Sequence, residues 1–182
     1  MSKTVVFKNL LKDITVGAVM PTSSFSVKRI CKRVRPDNAR VVVEYGPGTG
    51  PFTAFLLDQM SGDSKLILIE TNRDFCDMLE QINDPRVHVF HDSAENVRDI
   101  LRECDEESAD YVISGIPFSL IKEPAKTRLL ADTRDLLSEN GRFLLYQHSG
   151  YMKKHLSQHF ENVETDLSIL NIPPLFIFEA YR

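Results

Sequence analysis

A doubly wound α/β fold, with a mostly parallel sheet and helices on both faces, is what this sequence predicts, and three observations carry the prediction. An apolar strand runs into a glycine-rich turn and a helix start at Val41–Thr53 (Val-Val-Val-Glu-Tyr-Gly-Pro-Gly-Thr-Gly-Pro-Phe-Thr). Strand and helix patterns then alternate regularly to about residue 160. Two closing strand patterns, separated only by Asn171-Ile-Pro-Pro, are close enough to pair antiparallel at one edge. Alternation of this kind builds parallel sheets whose ligand crevice lies outside the carboxyl ends of the strands.

Taken in order, Lys3–Ile14 places Phe7, Leu10, Leu11 and Ile14 on one face of a helix, flanked by Lys8 and Lys12. Such a helix either packs on the body through that stripe or lies on a membrane surface. Thr15–Met20, with Gly17, reads as a loop, and Pro21-Thr22-Ser23-Ser24 caps a second helix reaching about Val34. On it Lys28 with Lys32 and Arg29 with Arg33 stack at i,i+4, which reads as a solvated face or, second, an anion-facing patch.

Val41–Val43 are β-branched without interruption, as a central strand covered on both faces requires. Gly46, Gly48 and Gly50 permit positive φ and let backbone amides approach a ligand, and Pro51 suits a first helical turn. Strands then follow at Lys65–Glu70, Arg86–Phe90, Ala109–Ser114, Arg142–Gln147, Val163–Leu170 and Leu175–Tyr181. Helices fall between them at Asn72–Ile82, Ala94–Cys104, Pro124–Leu137 and Tyr151–Phe160. With 182 residues and 42% hydrophobic content this is one domain, a helical arm at 1–38 and an α/β core at 39–182.

Composition narrows the function. No apolar run reaches the ~18 residues of a membrane span, and no signal peptide is evident. Cys31, Cys76 and Cys104 lack any paired spacing, so neither a disulfide framework nor a zinc site is expected, and a cytoplasmic setting is. His155 and His159 stand at i,i+4 but have no third ligand nearby, so no metal is expected. Residues 1–40 carry nine Lys or Arg against Asp13 and Asp37, a balance of +7, so the remainder carries −11. A basic arm on an acidic body suggests an anionic partner, lipid head groups or nucleic acid.

The turn itself discriminates among nucleotides. A dinucleotide site has Gly-x-Gly-x-x-Gly, whereas here Gly-x-Gly-x-Gly follows Glu44 and Pro51 occupies the third glycine position. An acidic residue there repels a pyrophosphate and favours a cationic sulfonium. Glu70, closing the second strand about twenty residues beyond the turn, stands where such a fold places the carboxylate for the ribose hydroxyls, with Thr71 beside it.

The stretch from Glu44 to Gly50 resembles motif I of the Rossmann-like, class I S-adenosylmethionine-dependent methyltransferases. The resemblance implies S-adenosylmethionine as cofactor and seven strands in the order 3-2-1-4-5-7-6. It also implies that Asp92 meets the adenine amino group with the Ser93 backbone beside it, although either residue also suits an N-cap. At the fourth strand, amino-group methyltransferases such as the ribosomal RNA adenine dimethylases have Asn-x-Pro-Tyr/Phe. In this chain Ser114-Gly115 replaces that asparagine, while Ile116, Pro117 and Phe118 complete the stretch. Ser-Gly-Ile-Pro, with Val16–Ser24 and Asn171–Pro174, resembles the bacterial phospholipid N-methyltransferases over nearly the whole chain.

That resemblance implies methylation of an aminophospholipid such as phosphatidylethanolamine by a peripheral enzyme of the inner membrane surface, docked on anionic lipid through Lys3–Ile14. Ser114, Gly115, Ile116, Pro117 and Phe118 are then the acceptor residues, and Ser23 and Ser114 join the cofactor set. Phe118, Tyr146, Tyr151 and Phe176 are candidate faces for a methylammonium, and His148 a candidate neighbour of the acceptor. An RNA adenine N6-methyltransferase and a non-catalytic cofactor-binding module are the other readings. Ser114 and the absence of a C-terminal helical RNA-binding domain oppose the first.

Overall fold

The structure is a computed structural model that describes residues 24–169 and 173–182. The expected Lys3–Ile14 helix, the Thr15–Met20 loop, Ser23 and the Leu170–Ile172 part of the last connection lie outside the described residues.

Seven strands, β1 (Val41–Tyr45), β2 (Lys65–Glu70), β3 (Val87–His91), β4 (Ala109–Ser114), β5 (Leu137–Gln147), β6 (Asn162–Ser168) and β7 (Leu175–Tyr181), form one sheet in the order β3-β2-β1-β4-β5-β7-β6. β1 to β5 pair in parallel, and β7 lies antiparallel to both β5 and β6. The expected fold and strand order are therefore those observed. The helices are α1 (Ser24–Cys31), α2 (Pro51–Leu57), α3 (Arg73–Leu79), α4 (Val97–Glu103), α5 (Ala125–Leu136) and α6 (Met152–His159).

Strand periodicity sorts the core into two layers. Val41, Val43 and Tyr45 face Ile100, Leu101, Leu129, Leu130 and Leu156 of α4, α5 and α6. Val42 faces the other way, with Val27 and Ile30 of α1 and Phe52 and Leu56 of α2. All five residues of β1 are buried, which is why its sequence shows no alternation.

Three boundaries differ from expectation for local reasons. The helix expected from Ala94 begins as a 3-10 turn, Ala94–Asn96, because the Ser93 hydroxyl accepts from Glu95 N–H at 3.2 Å. β5 starts five residues early, at Leu137, through a register shift against Ala109 and Tyr111 that polar Glu139-Asn140 hides from a pattern reading. Phe118–Leu120 forms a 3-10 turn just after β4.

The reading of Arg29 and Arg33 as a solvated or anion-facing pair is corrected. Arg29 Nη2 donates to Asp166 Oδ1 at 2.8 Å and Arg33 Nη1 to Glu179 Oε2 at 2.8 Å, with Arg33 Nη2 also reaching Asp166 Oδ2 at 3.2 Å. α1 is thus clamped across the outer strands β6 and β7 by partners more than 130 positions away in the chain, a pairing no local spacing reveals. Lys28 and Lys32 remain exposed.

Because Arg33 and Glu179 are largely shielded from solvent, Arg33→Ala should lower unfolding stability by about 1–3 kcal/mol in urea titration. A change within about 0.5 kcal/mol, as expected of a solvated residue, would return Arg33 to the surface reading.

Candidate functional site

The site is built from the end of β1. Gly46 N–H donates to Ile69 O at 2.9 Å and Gly115 N–H to Tyr45 O at 3.1 Å, so the turn and the β4 loop leave the sheet together. Gly46, Gly48 and Gly50 have φ of 64°, 56° and 77°, in the left-handed region where side chains are strained. At Gly46 a Cβ would also lie 2.6 Å from Ile116 Cγ2, so the β4 loop closes on this turn only because the side chain is missing. At Gly48 a Cβ would meet nothing within 4 Å, leaving an open floor beside a backbone amide.

Glu70 joins the turn to the second strand. It is 7% exposed, its Oε2 accepts from Gly48 N–H at 3.0 Å, and its Oε1 accepts from Asn72 N–H at 2.9 Å. Each oxygen keeps a second lone pair toward the cleft, which suits a vicinal diol. Gly46, Glu70, Thr71, Ser93, Ile116 and Pro117 line this cleft of about 240 Å³, each of them anticipated from the sequence. The volume falls below the ~300–1,000 Å³ of drug-sized sites, which is room for part of a nucleoside cofactor and not for all of it.

Other anticipated residues sit elsewhere. Asp92 adjoins the wall residue Ser93, its Oδ1 accepting from Ser93 N–H at 2.6 Å and from Asn96 Nδ2 at 2.8 Å, while Ser93 itself is the N-cap of the following turn. The Phe118 ring is fully buried against Phe143, its centroid 6.1 Å away, rather than facing an acceptor. Nor do the proposed aromatic faces assemble into a cage. Tyr146 is stacked on Phe52 at 4.6 Å, Phe176 on Phe178 at 6.2 Å, and the exposed Tyr151 ring already carries Lys126 Nζ at 5.1 Å. His148 Nδ1 lies 3.1 Å from Pro174 O and His155 Nδ1 3.8 Å from Glu123 Oε1. Among the described residues no group of three or more side chains has the makings of a metal site.

Glu44 is not on the cleft wall either. It is 0% exposed on the α2 side of the sheet, where Thr53 Oγ1 donates to its Oε2 at 2.8 Å. Burial, with the Glu70 charge adding, pushes its carboxyl up to about 7 against the Thr53 hydrogen bond. Among the described residues the buried polar side-chain atoms without a partner are Glu44 Oε1, Ser114 Oγ and Gln147 Oε1. All three stand in the last residues of β1, β4 and β5. Buried polar atoms are rarely left unpaired, and their concentration at one sheet edge fits a polar ligand there.

Missed by sequence reasoning were Glu95 and the apolar walls of the cleft, Ile69, Ala94, Leu120, Ile121 and Leu129. The apolar walls have the chemistry of any core residue, so only their position identifies them.

A family described as a methyltransferase domain matches residues 42–141. An ornithine lipid N-methyltransferase of Singulisphaera acidiphila is 26% identical over 162 residues, covering 87% of this chain and 84% of that protein. Among solved structures, a precorrin-6Y C5,15-methyltransferase of Geobacter metallireducens superposes with a TM-score of 0.73 at 13% identity, over 94% of this chain and 95% of that one. A Podospora anserina methyltransferase with bound S-adenosylhomocysteine gives 0.69 at 12% identity, over 100% and 89%. The fold is shared with these solved structures, and S-adenosylmethionine is the cofactor.

Glu70→Ala should weaken S-adenosylmethionine binding ten- to hundredfold by calorimetry, since it removes a charged acceptor and frees the Gly48 and Asn72 amides. Unchanged affinity would remove Glu70 from the site. For Glu44, the folded chain keeps a proton up to about pH 7 that the unfolded chain releases near 4.5. Stability therefore falls as pH rises through that window. Relative to Glu44→Gln, the wild type should lose roughly 3 kcal/mol at most between pH 4.5 and 7.5 in urea titrations, and parallel curves would show that Glu44 ionises normally.

Proposed function

Because this chain belongs to the methyltransferase-domain family, we propose that it transfers a methyl group from S-adenosylmethionine to the amine of a membrane lipid. That it is an S-adenosylmethionine-dependent methyltransferase follows from its family, its fold and its cofactor cleft. The lipid acceptor is supported by the name of its ornithine lipid N-methyltransferase relative, and above all by the surface around the acceptor loop.

Leu120, Tyr151 and Ile169 are 77%, 52% and 67% exposed, Leu120 in the turn after β4, Tyr151 at the start of α6 in the connection after β5, and Ile169 directly after β6. β4 and β5 are parallel, and β6 points the same way because it and β5 both oppose β7. The three apolar side chains therefore share the sheet edge that carries Ser114–Phe118, with exposed Lys122, Lys153 and Lys154 nearby in sequence. Exposed large apolar groups rimming a ligand edge suit an acyl-chain surface, and the lysines suit anionic head groups. The amphipathic Lys3–Ile14 segment is a second contact with that surface in this reading, which makes the enzyme a peripheral one. No helix among the described residues is long and apolar enough to cross a membrane.

When bound, S-adenosylmethionine supplies an electrophilic methyl. The chain's own contribution is mainly orientation, which is able to contribute ~7–11 kcal/mol without a strong base. Glu70 and the Gly48 amide hold the nucleoside half. In this reading backbone carbonyls of the Ser114–Ile116 stretch hold the amine, and apolar Ile116, Pro117 and Leu120 favour its neutral, nucleophilic form. Phosphatidylethanolamine and an ornithine lipid both present such an amine.

The reading of the arm as an RNA-binding surface is weakened by its ion pairs. Arg29 and Arg33 are engaged by Asp166 and Glu179, and Arg40 by Glu106.

With methyl-labelled S-adenosylmethionine, vesicles containing phosphatidylethanolamine or ornithine lipid should become labelled on nitrogen, and ribosomal RNA should not. Label in RNA and none in either lipid would overturn the proposal. Ile169→Asp should reduce turnover on vesicles several-fold while sparing detergent-dispersed lipid.

A further inference from the structure

The acceptor loop has no outward polar side chain of its own. Ser114 is fully buried, Gly115 has none, and Ile116, Pro117 and Phe118 are apolar. A polar group from another strand reaches it instead. Tyr146, the penultimate residue of β5, has its hydroxyl pressed against Gly115, so that a Cβ at position 115 would lie 2.3 Å from Tyr146 Oη and 2.7 Å from Cζ. The phenol and a side chain at 115 compete for one volume, and glycine yields it to the phenol.

We propose that Tyr146 Oη contacts the acceptor nitrogen, accepting one of its N–H hydrogens and so aiming its lone pair at the methyl group. The acceptor's identity rests on the lipid-amine reading above, but the position of the hydroxyl does not.

Three observations support the role. The ring is held by Phe52, stacked at 4.6 Å and 29°, so the hydroxyl points in one fixed direction. Among the described residues that hydroxyl makes no hydrogen bond. Gly115, against which it is pressed, directly precedes Ile116 and Pro117, which line the cleft. A buried, immobilised tyrosine ordinarily finds a partner for its hydroxyl. Burial first, then the negative charge of Glu44 and the nearby Cys31, raise the phenol well above its ordinary range. It therefore stays a neutral hydroxyl, able to accept from an amine without taking its proton outright.

Tyr146→Phe removes one oxygen and keeps the stacking on Phe52. The deciding measurement is calorimetric binding of two cofactor analogues to the full chain. Sinefungin carries an amine where S-adenosylmethionine has its methyl, and S-adenosylhomocysteine has nothing there. Tyr146→Phe should weaken sinefungin ten- to hundredfold and leave S-adenosylhomocysteine within about twofold, with the melting temperature little changed. Gly115→Ala, which displaces the phenol, should reproduce that selectivity, and kcat on the lipid acceptor should fall by a similar factor in both variants. Equal losses for the two analogues, or no loss for either, would overturn the assignment. If the wild type ignores lipid but Tyr146→Phe still loses sinefungin selectively, the lipid reading falls and the assignment of Tyr146 stands.

Discussion

The hydrogen bond from Gly48 N–H to Glu70 Oε2, 3.0 Å long, is the contact on which the cofactor end of the molecule depends. It spans two adjacent parallel strands at their carboxyl ends and holds a turn whose three glycines occupy the left-handed region. A backbone so disposed is entropically costly to order, and a buried carboxylate that accepts two amides restrains it before any ligand arrives. Under the proposed function the same carboxylate would also meet the ribose, which would put preorganisation and recognition in one side chain.

The opposite side of the sheet shows how charge serves structure. The basic character of α1 looks like a binding surface in the sequence, yet its arginines close an ionic clamp over β6 and β7. β6 is an edge strand, the most vulnerable part of an open sheet. Tying the helix and the turn after it across the edge through partly shielded ion pairs protects that edge.

At the carboxyl ends of β1, β4 and β5 the molecule departs from an ideally satisfied core. Unpaired oxygens of Glu44, Ser114 and Gln147 stand at the ends of three neighbouring strands. Each costs stability when buried without a partner, and unsatisfied groups gathered at a site are where folds sacrifice stability for function. Gly115 belongs to the same logic, since its missing side chain makes room for the Tyr146 hydroxyl.

What the sequence determined by itself was everything that local pattern encodes. The uninterrupted Val41–Val43 run, the positive-φ glycines and the carboxylate at Glu70 each carry their meaning within a few residues, and the alternation of periods places the strands to within a few positions. Position in space was decided only by the tertiary structure. Arg33, just beyond α1, found Glu179 on a closing strand, the Phe118 ring went into the core, and Leu129 became a cleft wall. The physical reason is that side-chain direction and long-range partners depend on how layers pack, and residues more than a hundred positions apart leave no trace of their contact in local periodicity.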